Sequence, residues 1–168
     1  DAAVQELCDY FTAQYEKTGR KVIVAMAGDH APSFVGHVAD PSFAETDNEL
    51  QILERSTPYL IWANYPLENA GQTSATDEYN RMDMCMLAPT LVENAGLPLT
   101  LYYQYLLALK QVAPVVTAAN DYMDADGVNH TYGENAELDA WVHGYFYLEY
   151  NNIGAKATSQ QNLFQVEK

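Results

Sequence analysis

The chain has 168 residues, 48% of them hydrophobic, which excludes a disordered tail and leaves one sizeable core: a single compact domain or part of a larger one. Eight Lys+Arg against 23 Asp+Glu leave a formal charge of −15. That sign disfavours nucleic acid, whose phosphates demand a basic surface, and gives no hold on anionic membrane lipids. Cys8 and Cys85 lie far apart with no second Cys at metal-ligand spacing, so they read as buried free thiols rather than a disulfide framework or a zinc motif. No apolar run approaches the ~18 residues needed to span a bilayer, and no signal peptide is read ahead of the first helix; the segment itself is expected to be soluble.

The first predicted element is a helix over residues 2–16, where Val4, Leu7, Cys8 and Phe11 recur at the spacing of an amphipathic face. Residues 17–20 break it. Residues 21–27, Lys-Val-Ile-Val-Ala-Met-Ala, are a continuous apolar run rich in β-branched side chains, the composition of a strand buried on both faces. Helix followed by buried strand is the rhythm of a parallel α/β sheet. A second strand is predicted over 58–64, after a polar stretch of about thirty residues, a length expected of functional or mobile loops.

The rest of the chain reads as helical. Residues 84–95 carry Met84, Leu87, Ala88, Leu91, Val92 and Ala95 on one face and stop at Gly96-Leu97-Pro98. Residues 99–112 form a second helix, rich in Tyr and Leu, that ends before Pro114. Residues 121–127 resemble the start of a calcium loop. With Asp124 and Asp126 at its third and fifth positions, however, the first would be Tyr122 and the twelfth Gly133, so the segment reads as a polar turn. Residues 134–152, with Leu138, Trp141, Val142, Tyr145 and Leu148 at helical spacing, close the fold as a core-packing helix. No internal repeat, Gly/Ser linker or low-complexity tract marks a domain boundary. Most of the 13 tyrosines fall on stripes beside Leu and Ala and read as core and interface packing rather than as a sugar-stacking surface.

Candidate chemistry concentrates at Gly28-Asp29-His30, at the C-terminal end of the first strand, where open α/β sheets place their ligand sites. Asp offers a hard anionic oxygen and His a neutral imidazole, so the neighbours can reach one divalent ion or two adjacent ones. Gly28 would let the backbone turn tightly enough to aim both inward. By spacing alone the same residues read rather as an Asp capping the next turn beside a hydrogen-bonded His. His37, in the long loop, can approach a substrate or stand as an exposed loop histidine. His130 and His143 fall in a turn and a helix and read as structural. Ser33 and Thr57 have no base at recognisable spacing and read as turn or strand-edge residues.

Three stretches occur in order: Lys21-Val-Ile-Val-Ala-Met-Ala-Gly-Asp-His-Ala-Pro-Ser33, Ser56-Thr-Pro-Tyr-Leu-Ile-Trp-Ala-Asn64 and Leu87-Ala-Pro-Thr-Leu-Val-Glu-Asn-Ala-Gly-Leu-Pro98. Together they resemble the C-terminal half of the sulfatase domain in lipoteichoic acid synthase-like proteins, members of the alkaline phosphatase superfamily. Tyr102-Tyr-Gln-Tyr-Leu-Leu107 and the Trp141 helix extend the resemblance over nearly the whole chain, and Gly28-Asp29-His30 is its most specific piece. The resemblance implies an α/β fold, the C-terminal portion of an alkaline-phosphatase-like parallel or mixed sheet flanked by helices, with residues 1–168 a single partial domain. It also implies that Asp29 and His30 bind the catalytic metal, Mn²⁺ or Mg²⁺.

The family's nucleophilic Thr (Ser or Cys in relatives), its early acidic ligand and its substrate-contacting His all precede this motif. The 28 residues ahead of Asp29 contain no counterpart. The chain is therefore expected to be a fragment of a metal-dependent phosphoglycerol transferase or sulfatase-like hydrolase acting on cell-envelope polymers. Alone it would be inactive and hold its ion weakly. A glycerophosphate or sulfate-ester substrate would be reached through the full domain, at the extracellular face of the bacterial cell membrane, and the membrane only through N-terminal helices missing here. An exposed sheet edge in such a fragment favours self-association. The alternative is a noncatalytic half-domain that binds a partner or glycan.

Overall fold

The computed structural model describes residues 2–30, 50, 52, 54–67, 81–117, 121–153 and 160–166, so Ser33, His37 and most of the long loop lie outside the described residues. Helix α1 (Ala2–Thr18) carries Val4, Cys8, Phe11 and Tyr15, half-buried, on one stripe. Strands β1 (Ile23–Ala27) and β2 (Tyr59–Ala63) follow and pair with each other. Asn64 ties these elements together. Its side-chain nitrogen donates to the carbonyls of Phe11 and Arg20 at 2.8 and 3.1 Å, and its side-chain oxygen accepts from the Val22 N–H at 2.8 Å.

The fold is mixed α/β, with helices and small antiparallel sheets. Two expectations are corrected. Among the described residues β1 enters no parallel sheet: it runs antiparallel to β2, with Ile23 opposite Ala63 and Ala27 opposite Tyr59. A helix ahead of a strand leaves the direction of the next strand open; only a strand–crossover–strand unit makes it parallel. Nor is β1 buried on both faces, since Met26 and its register partner Leu60 are 42% and 41% exposed. Apolar composition measures what a strand can bury, while coverage depends on what packs against it.

Asp83 caps a 3₁₀ turn over Met84–Met86, its carboxylate accepting from the Cys85 N–H at 2.9 Å, and α2 (Leu87–Asn94) follows. Helix α2 stops where the sequence predicts. Gly96 adopts φ 66°, its N–H donates to Glu93 O at 2.9 Å, and the Leu97 N–H reaches Val92 O at 3.1 Å. These paired bonds are a Schellman cap, for which glycine is suited because it lacks the Cβ that opposes positive φ. Thr100 caps α3 (Leu101–Val112) by accepting from the Tyr103 N–H at 3.1 Å.

The expectation that the remainder is helical is also corrected. Strands β3 (Val115–Val116), β4 (Asp121–Met123) and β5 (Asn129–Thr131) form an antiparallel sheet in that order. Runs of two or three residues are too short to display alternation, which is why periodicity passes over them. Of the polar turn expected over 121–127, residues 124–127 lie in the β4–β5 loop, whereas 121–123 are strand β4. The Gly127 N–H donates to Asp124 O at 3.1 Å, the Asp124 N–H to Val128 O at 2.9 Å, and Gly127 takes φ 81°. Helix α4 (Ala136–Ile153) starts behind Asn135, whose side-chain oxygen accepts from the Glu137 and Leu138 N–H groups, both at 3.2 Å.

The buried core lies in this second half. Met86, Leu109, Ala113, Val116, Tyr122 and Val142 form one cluster, drawn from the 3₁₀ turn, α3, the residue after it, both strands of the β3–β4 pair and α4. Burying each large side chain contributes about 1.5–3 kcal/mol before entropy is counted. Gly144 brings α4 against α3: a Cβ there would collide with the Tyr105 hydroxyl, which donates to Trp141 O at 2.6 Å. A second 3₁₀ turn, Gln161–Phe164, sets Phe164 against Tyr102, the rings tilted by 49° with centroids 5.1 Å apart. Among the described residues no helix is long and apolar enough to cross a membrane.

Candidate functional site

The end of β1 is clamped to the residues before β2. The Gly28 N–H donates to Pro58 O at 3.0 Å, and Thr57 Oγ1 donates to Gly28 O at 3.0 Å. Gly28 does not take a positive φ, so its role differs from the tight turn read from sequence. A Cβ at Gly28 would lie 2.8 Å from Thr57 Cβ. Glycine is required because another backbone segment approaches closely. Thr57 spends its hydroxyl on this clamp, in keeping with a strand-edge role.

Asp29 and His30 follow directly. Asp29 Oδ2 stands 3.3 Å from His30 Nε2, and the side chains are 88% and 76% exposed. One carboxylate oxygen, a hard donor, and one imidazole nitrogen, a borderline one, therefore sit side by side and exposed. Among the described residues no three His, Cys, Asp or Glu gather around one point. Ligands completing a coordination shell would come from outside those residues. His37, the substrate-binding candidate, lies outside them as well.

No family model, curated protein or solved structure matches the chain.

A second constellation, on the β4–β5 hairpin, was not visible in the sequence. His130 Nε2–H donates to Asp124 Oδ2 at 2.7 Å, and Asp124 Oδ1 accepts from the Asp126 and Val128 N–H groups, both at 2.9 Å. Both side chains are only 17% exposed. Desolvation by burial pushes the Asp124 carboxyl up, but the hydrogen bonds from His130, Val128 and Asp126 outweigh it and hold the group below the usual carboxylate range. An ionised acceptor requires the proton on His130 Nε2.

The His130 ring stacks on Tyr122, its register partner, with centroids 5.3 Å apart. The Tyr122 hydroxyl donates to Asp139 Oδ1 at 2.8 Å, and Asp139 Oδ2 accepts from the Gly133 N–H at 3.0 Å. Burial, then the Asp139 carboxylate, push the Tyr122 phenol well above its ordinary value, so it stays a donor. The network joins β4, β5 and the first turn of α4. Its Asp–His pair is thus a structural tie, placing His130 in a strand rather than a turn, while His143 is exposed on α4.

This tie has a pH signature. A carboxyl whose folded pKa is lowered stabilises the fold above its ordinary value, near 4, and loses that contribution as pH falls through the lowered pKa. Thermal unfolding from pH 7 to pH 3 is therefore expected to show wild type more stable than Asp124→Asn at neutral pH, with the gap closing below about pH 4. A gap independent of pH would contradict the ionised tie.

Cys85 offers no second chemistry. Burial, then the Asp83 charge, push its thiol far above the ordinary range. A protonated thiol is neither a nucleophile nor a good metal ligand.

Proposed function

We propose that Asp29 and His30 are two ligands of a divalent metal, Mn²⁺ or Mg²⁺, in the catalytic domain of a phosphoglycerol transferase or sulfatase-like hydrolase of the alkaline phosphatase superfamily. The domain acts on cell-envelope polymers at the outer face of the membrane, and its nucleophile lies elsewhere in the parent protein. The observation that carries this reading is the accessible Asp29 Oδ2 and His30 Nε2 pair, 3.3 Å apart, at a strand end clamped by Gly28 and Thr57. The ordered resemblance of residues 21–33, 56–64 and 87–98 supports it.

When bound, the ion supplies Lewis-acid stabilisation of charge on phosphoryl or sulfuryl oxygens. Asp29 contributes the anionic oxygen and His30 the neutral nitrogen. The clamp restrains the backbone from which both side chains project, so less ordering remains to be done on binding. Calorimetric titration of the complete domain with Mn²⁺ tests the assignment. Wild type is expected to bind and Asp29→Ala to lose the heat of binding; unchanged binding by the variant would remove Asp29 from the site.

In the same reading, the exposed Met26–Leu60 pair is where the rest of the parent domain packs, and the chain alone self-associates through it. A strictly monomeric sedimentation profile would count against this.

A further inference from the structure

Between α3 and α4 lies a cleft of about 380 Å³, walled by Leu101, Tyr102, Tyr105, Gly144, Leu148 and Leu163, with the exposed Tyr147 beside them. Gly144 lets the two helices approach closely at one side of it. Without a side chain at that position Tyr105 passes over α4 to reach Trp141 O, and its ring forms part of the wall. The volume is about two and a half times that of a dry apolar cavity known to admit benzene, so roughly two fused rings fit.

The walls define the class of occupant. Tyrosine rings and leucine methyls favour a flat aromatic group, which gains offset or edge contacts beyond simple area burial. The Tyr102 hydroxyl donates to the Glu149 carboxylate and the Tyr105 hydroxyl to Trp141 O, so both of these are already engaged. Among the described residues no Lys or Arg walls the cleft. Helix α4 contains no Lys or Arg, and Lys110, the one basic residue of α3, donates to Thr90 Oγ1 at 3.2 Å. Glu149 beside the cleft and the chain's net charge of −15 repel anions.

We propose that this cleft binds a flat aromatic molecule of about two rings that carries no negative charge. The site shares no residue with the Asp29–His30 pair, so it stands or falls independently of the metal reading. The probe is N-phenyl-1-naphthylamine, which is uncharged and fluoresces in apolar surroundings. Its sulfonated analogue, 8-anilinonaphthalene-1-sulfonate, has nearly the same skeleton with a negative charge.

Saturable one-to-one binding of the neutral probe is expected, about tenfold tighter than that of the sulfonate and weakened about tenfold by Leu148→Trp, which fills the cleft. In the wild-type chain the probe should shift the Gly144 and Tyr147 amide resonances, a measurement that needs no variant to fold. Shifts confined to other residues, equal affinity for the sulfonate, or undiminished binding by a folded Leu148→Trp would each overturn the proposal. So would an affinity that weakens as the protein dimerises, which would assign the cleft to a second copy. Release of the 3₁₀ turn around Leu163 without probe at Gly144 would assign it to the chain's own end and would equally overturn the proposal.

Discussion

Asp139→Ala is expected to destabilise the protein by about 3 kcal/mol, measured by urea unfolding. Asp139 is 8% exposed, yet it accepts from the Tyr122 hydroxyl at 2.8 Å and from the Gly133 N–H at 3.0 Å. Removing the carboxylate strands a donor inside the core, and Tyr122 has no exposed surface from which to recruit water. A buried donor left without a partner costs about 1–3 kcal/mol, and loss of an anion from the first turn of a helix adds about 0.3–1 kcal/mol. Tyr122→Phe removes the other partner and should cost less, about 1–2 kcal/mol, because Asp139 keeps its bond to Gly133. A double-mutant cycle should return a coupling of about 1 kcal/mol or more. Additive effects would mean that the two side chains act separately.

That pair marks the boundary of what the sequence makes legible. The α1 stripe, of which Val4, Cys8 and Phe11 are half-buried while Leu7 is exposed, and the stop at Gly96-Leu97-Pro98 are local signals, readable because each acts within a turn of helix. The starts of α3 and α4, read two residues early, are fixed by the Thr100 and Asn135 caps. Tyr122 and Asp139 are 17 residues apart and meet only once the β4–β5 hairpin and α4 have formed. Asp124 and His130 likewise show no meaningful spacing until the register sets His130 opposite Tyr122. The direction of β2 is of the same kind, since pairing depends on how the intervening chain returns, which apolar composition does not encode.

The candidate site divides along that line. Asp29 and His30 are visible as a strand-end dipeptide, whereas the clamp that restrains them depends on Thr57, 29 residues away from Gly28. The α3–α4 cleft is hidden for a related reason: a glycine inside a helical stripe reads as a tolerated flaw, and its meaning appears only when Tyr105 is seen crossing it.

The clamp yields a test in which the sign decides. In a strand, replacing glycine by alanine restricts the unfolded chain and, with space available, stabilises by about 0.4–1 kcal/mol. At Gly28 there is no space, because the added Cβ would stand 2.8 Å from Thr57 Cβ. That atom is bonded to the Thr57 backbone and cannot swing aside as the end of a long side chain would. Relief therefore requires the two segments to part, stretching both the Gly28 N–H bond to Pro58 O and the Thr57 hydroxyl bond to Gly28 O. Gly28→Ala is expected to cost about 2 kcal/mol in urea unfolding. Thr57→Gly in the same chain should recover part of the loss by removing the opposing Cβ, even though it sacrifices the hydroxyl. If Asp29 and His30 hold Mn²⁺, Gly28→Ala should also weaken binding by the complete domain about tenfold, since misplaced ligands bind less well. A neutral or stabilising Gly28→Ala would show that the strand end has room to move. The metal pair would then lack the restraint assigned to it, even if both ligands were correctly named.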